Sequence, residues 1–188
     1  MGDDIYRMAI SHAKDNPFKD YLGFLQEMGE LTEAEQLLCE GLGREFVHLL
    51  ETTNMSKVYK MPVLMAFYNH GNVHMAVSEE ELLVTWKEFF STGTNRKDIE
   101  REITYEEYQK IPDKGHRKKI LQMSVHFLME SGKGFFVQKD GYALVLMDEL
   151  GEVVKFPAFS EHMGDVIAYR TMDYYQRRDR GDCDGSRA

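Results

Sequence analysis

The sequence predicts a mainly α fold with a minor α+β part: a helical bundle that carries one β-hairpin. Apolar residues recur at helical spacing through residues 32–52, 114–130 and 157–178, which gives each segment one face to bury. Helix-start signals are strong at two places, with Thr32 followed by Glu35 and Ser78 followed by Glu81. The hairpin signal is equally clear, since residues 134–138 and 142–147 favour strands and are separated by Lys139, Asp140 and Gly141.

The elements follow in order. Residues 3–14 and 17–28 read as helices, the second with Pro17 near its first turn, where a missing amide donor is harmless. Residues 32–52 read as a third helix, opened by Thr32-Glu33-Ala34-Glu35 and lined by Leu37, Leu38, Leu42, Phe46, Leu49 and Leu50. Gly41 and Gly43 inside it mark close packing or a weak point rather than a phosphate loop. Ser56 is placed to cap a helix running to about His70, with Tyr59, Val63 and Phe67 toward the core. Residues 73–77 form a short strand after the turn at His70, Gly71 and Asn72.

Ser78, with Glu79, Glu80 and Glu81 behind it, starts the next helix, because a hydroxyl cap and carboxylates both favour exposed amides at a positive dipole end. Leu82, Leu83, Trp86, Phe89 and Phe90 face inward along it, and it stops near Gly93. Residues 92–113 are polar and weakly periodic, an insertion with short helices around Ile99 and Tyr105. Residues 114–130 resume a long helix with Ile120, Leu121, Val125, Phe127, Leu128 and Met129 on its apolar side. After the hairpin, Pro157 opens a last helix in which Phe159, Met163, Val166, Ile167, Tyr174 and Tyr175 are spaced for burial.

From residue 55 onward the order is helix, strand, helix, insertion, helix and two-stranded hairpin, the element order of a winged helix. The chain therefore divides into a helical preamble (1–54), a winged-helix-like unit (55–150) with its insertion at 92–113, a C-terminal helix packed on the core (151–178) and a disordered tail (179–188). In this frame residues 114–130 are the recognition helix and Lys139-Asp140-Gly141 the tip of the wing.

With 188 residues, 43% of them hydrophobic, the chain has room for the core of one domain plus a helical extension. Cys39 and Cys183 are too few for a disulfide framework or a four-cysteine zinc site, and suit a reducing, cytoplasmic setting. No run approaches the roughly 20 apolar residues of a membrane span, so no membrane partner is expected.

The net charge is −9, which argues against a protein that coats nucleic acid indiscriminately. Only residues 111–139 are locally positive, with 6 basic and 2 acidic residues. Lys114, Arg117, Lys118 and Lys119 crowd a helix start, where the dipole disfavours cations, and this invites a functional reason. Together with Lys133 and Lys139, and with Lys57 and Lys60 as flanking contacts, they form a candidate nucleic-acid-binding set able to neutralise several phosphates. The same residues also fit a solvated face that balances acidic flanks.

Catalytic and metal sites are not expected. His70 and His74 are four apart, but Gly71 and Asn72 break the helix that would align them. His162 with Asp165 and Asp173 fits a hydrogen-bonded structural face as well as an acid–base group, and an enzymatic reading would need a site assembled from His70, His74, His116, His126 or His162. Gly132-Lys133 lacks the rest of a phosphate loop, and residues 180–185 lack the ligands of a calcium loop. No nucleophile, base and orienting group occur together, and no cofactor is implied.

Two segments carry a resemblance. Thr53-Asn54-Met55-Ser56-Lys57-Val58-Tyr59-Lys60-Met61-Pro62-Val63-Leu64, and Pro157-Ala158-Phe159-Ser160-Glu161-His162 continuing through Asp165 to Arg170 and Tyr174-Tyr175, resemble the C-terminal accessory region of bacterial superfamily II DEAD/DEAH-type helicases, including restriction or defence proteins with a nuclease. Phe24-Leu25-Gln26 and residues 41–46 are also similar to that region. The resemblance implies a non-catalytic accessory domain that contacts DNA or docks helicase or nuclease domains in cis or in trans, since Walker and DEAD/DEAH motifs are missing from these residues. The alternative is a protein-interaction module, such as a phage or defence component, whose acidic flanks bind a basic protein partner without nucleic acid.

Overall fold

The structure, a computed structural model, describes residues 16–132 and 134–179 apart from the side chains of Phe18 and His70. The helix expected at 3–14, Lys133, Cys183 and all of the 179–188 tail but Asp179 lie outside the described residues, and Asp179 is the last residue of a helix rather than disordered.

Pro17 does not open a helix running to residue 28. Pro17–Lys19 is a 3-10 turn, and α1 (Tyr21–Met28) begins anew at Asp20, whose carboxylate accepts from the Gly23 amide at 3.1 Å. The helix expected over 32–52 is also two pieces. Thr32 and Glu35 form the capping box, but α2 (Glu33–Gln36) lasts one turn before the chain turns at 37–40, and α3 (Gly41–Thr52) restarts from Gly41 at φ +58°. The break changes which side chains face inward. Phe46, Leu49 and Leu50 are buried, whereas Leu37 and Leu42, counted on the same apolar side, are 60% and 37% exposed. Gly43 is a packing position, where an added Cβ would meet Val153 at 3.6 Å.

The winged-helix unit begins with α4 (Lys60–Tyr68), three residues later than a Ser56 cap would place it. Pro62 explains the shift: it has no amide donor and its ring clashes one turn back, so it is tolerated only in a first turn. Nearly every side chain of α4 is buried, including Tyr59 at its cap, Val63 and Phe67, because α4 packs on α5 and on the last helix. A short strand, β1 (Ala76–Val77), leads into α5 (Glu79–Ser91). Ser78 and Glu81 form a full capping box, and Leu82, Leu83, Trp86, Phe89 and Phe90 are all buried. Its hydrogen bonds from Ser78 hold the Glu81 carboxyl below its usual range. We expect Ser78→Ala to cost about 1 kcal/mol in urea unfolding. A depressed carboxyl stabilises above its unfolded pKa, so the wild-type advantage should shrink as pH falls below 4.5.

Between α5 and the recognition helix lie α6 (Lys97–Glu100) and α7 (Tyr105–Gln109), as the sequence indicates. The segment is tied down by Asp98, Ile99 and Tyr108, all buried. The recognition helix starts as α8 (Asp113–Lys119), continues as a π-helical stretch (Ile120–Val125) and ends as α9 (His126–Ser131). The π-turn shifts the register of the residues after it. Ile120, Val125 and Leu128 are buried as expected, but Phe127 is 46% exposed.

The hairpin is β2 (Phe136–Val137) and β3 (Leu144–Leu146), with Gly141 at φ +86° in the turn. β3 pairs antiparallel with β2, Phe136 facing Leu146, and with β1, Ala76 facing Val145, so the sheet order is β1-β3-β2. Pairing of the first strand with the second hairpin strand completes a winged-helix arrangement in a mainly α molecule. The last helix, α10 (Pro157–Asp179), packs on α3 and α4, and one apolar cluster joins Leu22 at one end of the described chain to Tyr175 at the other. No helix of the described residues is long and apolar enough to cross a membrane.

Candidate functional site

The helix over residues 113–131 packs across α5 and against α4, and its His116 lies beneath Tyr108 of α7; that packing sets the surroundings of its basic residues. Glu79 and Glu80, at the start of α5, lie against the last turn of α8. Arg117 is bonded to Glu80 and lies 3.9 Å from Glu79. Lys119 reaches Glu102 at 3.0 Å and sits 5.0 Å from the centre of the Tyr59 ring, while Lys57 is bonded to the same carboxylate and lies 5.1 Å from the same ring centre. Bonds from Lys57 and then Lys119 hold the Glu102 carboxyl below its usual range. At the wing, Lys139 pairs with Asp148 at 2.6 Å. Of the four cations early in this helix, Arg117 and Lys119 therefore have local counter-charges that offset the unfavourable dipole, and Lys114 and Lys118 do not.

Lys60 is a different case and corrects its place among the phosphate contacts. It is 8% exposed, and its ammonium donates to the Asn54 carbonyl at 2.8 Å, to Ser131 Oγ at 2.9 Å and to Thr53 Oγ1 at 3.3 Å. Arg170 donates from the other side to the carbonyls of Glu51 and Thr53. Both cations thus serve the C-terminal end of α3, where carbonyls lack helical partners and the dipole is negative. Of the eight candidates, Lys114 and Lys118 remain as exposed residues with no ion pair among the described residues, and Lys133 lies outside them. A phosphate approaching this face would meet Glu79, Glu80 and Glu102 among the cations, so local acids offset part of its attraction.

Two of the described histidines, His116 and His162, are buried. His162 donates from Nε2 to Glu51 Oε1 at 3.0 Å in the buried interior, with the Tyr21 ring stacked on it at 5.2 Å, so its partner is Glu51 rather than Asp165. Asp173 pairs with Arg177 at 2.7 Å. His116 is buried beneath Tyr108, ring centroids 4.8 Å apart, and burial pushes its pKa down. His74 meets Asn69 at 3.2 Å, and His126 pairs with Glu130 at 3.5 Å. Among the described residues no group of three or more His, Cys, Asp or Glu is placed to hold a metal ion.

Sequence periodicity missed the feature most unlike an ordinary surface. Along residues 24–45, Phe24, Met28, Leu37 and Leu42 are exposed by 39%, 62%, 60% and 37%. Glu27, Glu30, Glu33, Glu40 and Glu45 are exposed in the same stretch, and none of them forms an ion pair among the described residues. The signal was present in the sequence as the glycine pair at 41 and 43 and the acidic count of this region. It was hidden by treating 32–52 as one helix.

A cleft of about 730 Å³ lies between α5 and α10, and Lys97 and Asp179 at its edge satisfy one another at 2.6 Å. Comparison with protein-family models, with curated proteins and with solved structures finds no match.

Proposed function

We propose that the chain is a non-catalytic docking module whose N-terminal helices present apolar side chains, set among unpaired carboxylates, to a basic protein partner. The observation that carries this is the contrast between the two charged surfaces. Four of the basic residues on the winged-helix face are already paired with acids, while Glu27, Glu30, Glu33, Glu40 and Glu45 form no ion pair among the described residues and are interleaved with Met28 and Leu37. Exposed aliphatic groups beside free carboxylates suit a basic amphipathic helix, in which apolar anchors give affinity and charge gives orientation and encounter rate. The segment resemblance supplies the class of partner, helicase or nuclease domains in cis or in trans.

A second reading, DNA contact through the recognition helix, rests on the winged-helix order and on the free Lys114 and Lys118. Fluorescence anisotropy with the full chain separates the two. A labelled Leu/Lys amphipathic peptide should bind, a peptide of equal charge with its apolar face scrambled should bind about tenfold more weakly, and a labelled duplex should stay free at low salt. Leu37→Ser with Glu33→Lys should remove the preference for the amphipathic peptide. Duplex binding that disappears in Lys118→Glu with Lys119→Glu, without peptide discrimination, would replace docking by DNA contact.

A further inference from the structure

We infer that the cavity between the start of α4 and the π-helical stretch binds a small molecule made of an anionic headgroup on an apolar body. The site is distinct from the docking surface of residues 24–45 and does not depend on it. Its volume is about 530 Å³, within the range of small-molecule pockets. Met55, Met123 and Phe127 supply apolar wall, and Lys60, Ser124 and Ser131 supply polar groups.

Lys60 is the reason for an anion. All three of its acceptors are neutral oxygens, and the charged group that bears on it most is Arg170, a second cation. The end of α3 contributes only about half a negative charge. A buried ammonium without a carboxylate is costly, and burial lowers its pKa accordingly. An anion entering the cavity supplies the missing charge, and the 3.3 Å bond to Thr53 is the weakest to exchange. Ser124, 2% exposed in the same wall, carries a hydroxyl with no hydrogen-bond partner. That wall is the π-helical stretch, a geometry frequent at functional sites.

The outer part suits the apolar body, because Met123 and Phe127 are 37% and 46% exposed at its edge. Glu130 beside them turns to His126, 3.5 Å away. Catalysis does not follow from the Lys60–Ser131 contact: Ser131 gives its proton to the Phe127 carbonyl at 2.8 Å, so its oxygen accepts from Lys60 and binding is the role the geometry leaves.

Isothermal titration of the full chain with decanoate, decyl phosphate and decanol tests the site. One of the two anions should saturate at one equivalent, and the tighter of them identifies the headgroup as carboxylate or phosphate. Decanol should bind at least about tenfold more weakly. Phe127→Glu, at an exposed position, should weaken the anion about tenfold without shifting the unfolding midpoint, and Lys60→Met should abolish the preference over decanol. If Lys60→Met does not fold, Phe127→Glu still decides. No saturation by either anion near 1 mM, the weak end of useful affinity, would overturn the proposal, as would equal affinity for decanol or indifference to Phe127→Glu. The peptide assay on Leu37 and Glu33 is untouched by either result.

Discussion

Asp98→Ala will cost about 3 to 5 kcal/mol in equilibrium urea unfolding, an effect that a residue in a polar, weakly periodic segment would not ordinarily have. The carboxylate is 4% exposed and accepts the Tyr174 hydroxyl at 3.0 and 2.7 Å through its two oxygens. The Val58 amide lies at 3.4 Å, and Arg101 and Arg178 approach to 3.5 Å. One side chain thus joins α6 to the turn before α4 and to the far end of α10. Alanine strands a buried hydroxyl and leaves two guanidinium groups to find water, and both penalties fall on the folded state.

Two smaller changes separate those penalties. Asp98→Asn keeps one acceptor and should cost about half as much, while Tyr174→Phe removes the donor with the acceptor still served by arginines, at about 1 to 2 kcal/mol. The double variant should cost less than the sum, since the two side chains share one bond. A loss for Asp98→Ala no larger than that of Ser78→Ala would show that this carboxylate does not hold the segment in place.

Asp98 also shows where the sequence stops being legible. Elements whose signals are local were readable: Ser78 with Glu81, the five inward residues of α5, the turn at Lys139 to Gly141, and the buried face of α10. Periodicity and capping act within one turn, so one sequence displays them. The failures arise where the chain changes register inside an apolar periodic run. The left-handed Gly41 divides an apparent single helix and exposes Leu37 and Leu42, and the π-turn before His126 exposes Phe127. Charge was legible only as a count. That Arg117 would meet Glu80, or that Lys57 and Lys119 would share Glu102, depends on packing between elements 17 to 45 residues apart, and so does the burial of Lys60.

The same limit applies to the division of the chain at residue 54, and Phe46→Ala tests it. Phe46, in the middle of α3, has no exposed surface. Its ring lies 5.2 Å from Phe135, 5.7 Å from Phe159 and 5.9 Å from Phe136, so the hairpin and α10 close around a side chain from the preamble. Phe67 of α4 continues the cluster, 6.0 Å from Phe136. Removing a fully buried ring should cost about 3 to 5 kcal/mol, whereas Phe46→Leu, which fills most of the volume, should cost about 1.5 kcal/mol or less. The decisive reading is which probe moves. Trp86 lies in α5, well away in sequence from the substitution, and is 1% exposed. If α3 were an appended helix, far-UV circular dichroism would show an early loss in Phe46→Ala while Trp86 fluorescence unfolded at its original midpoint. The shared aromatic cluster predicts otherwise: both probes shift to lower urea together, by the same amount, because the preamble and the winged-helix unit unfold as one cooperative body.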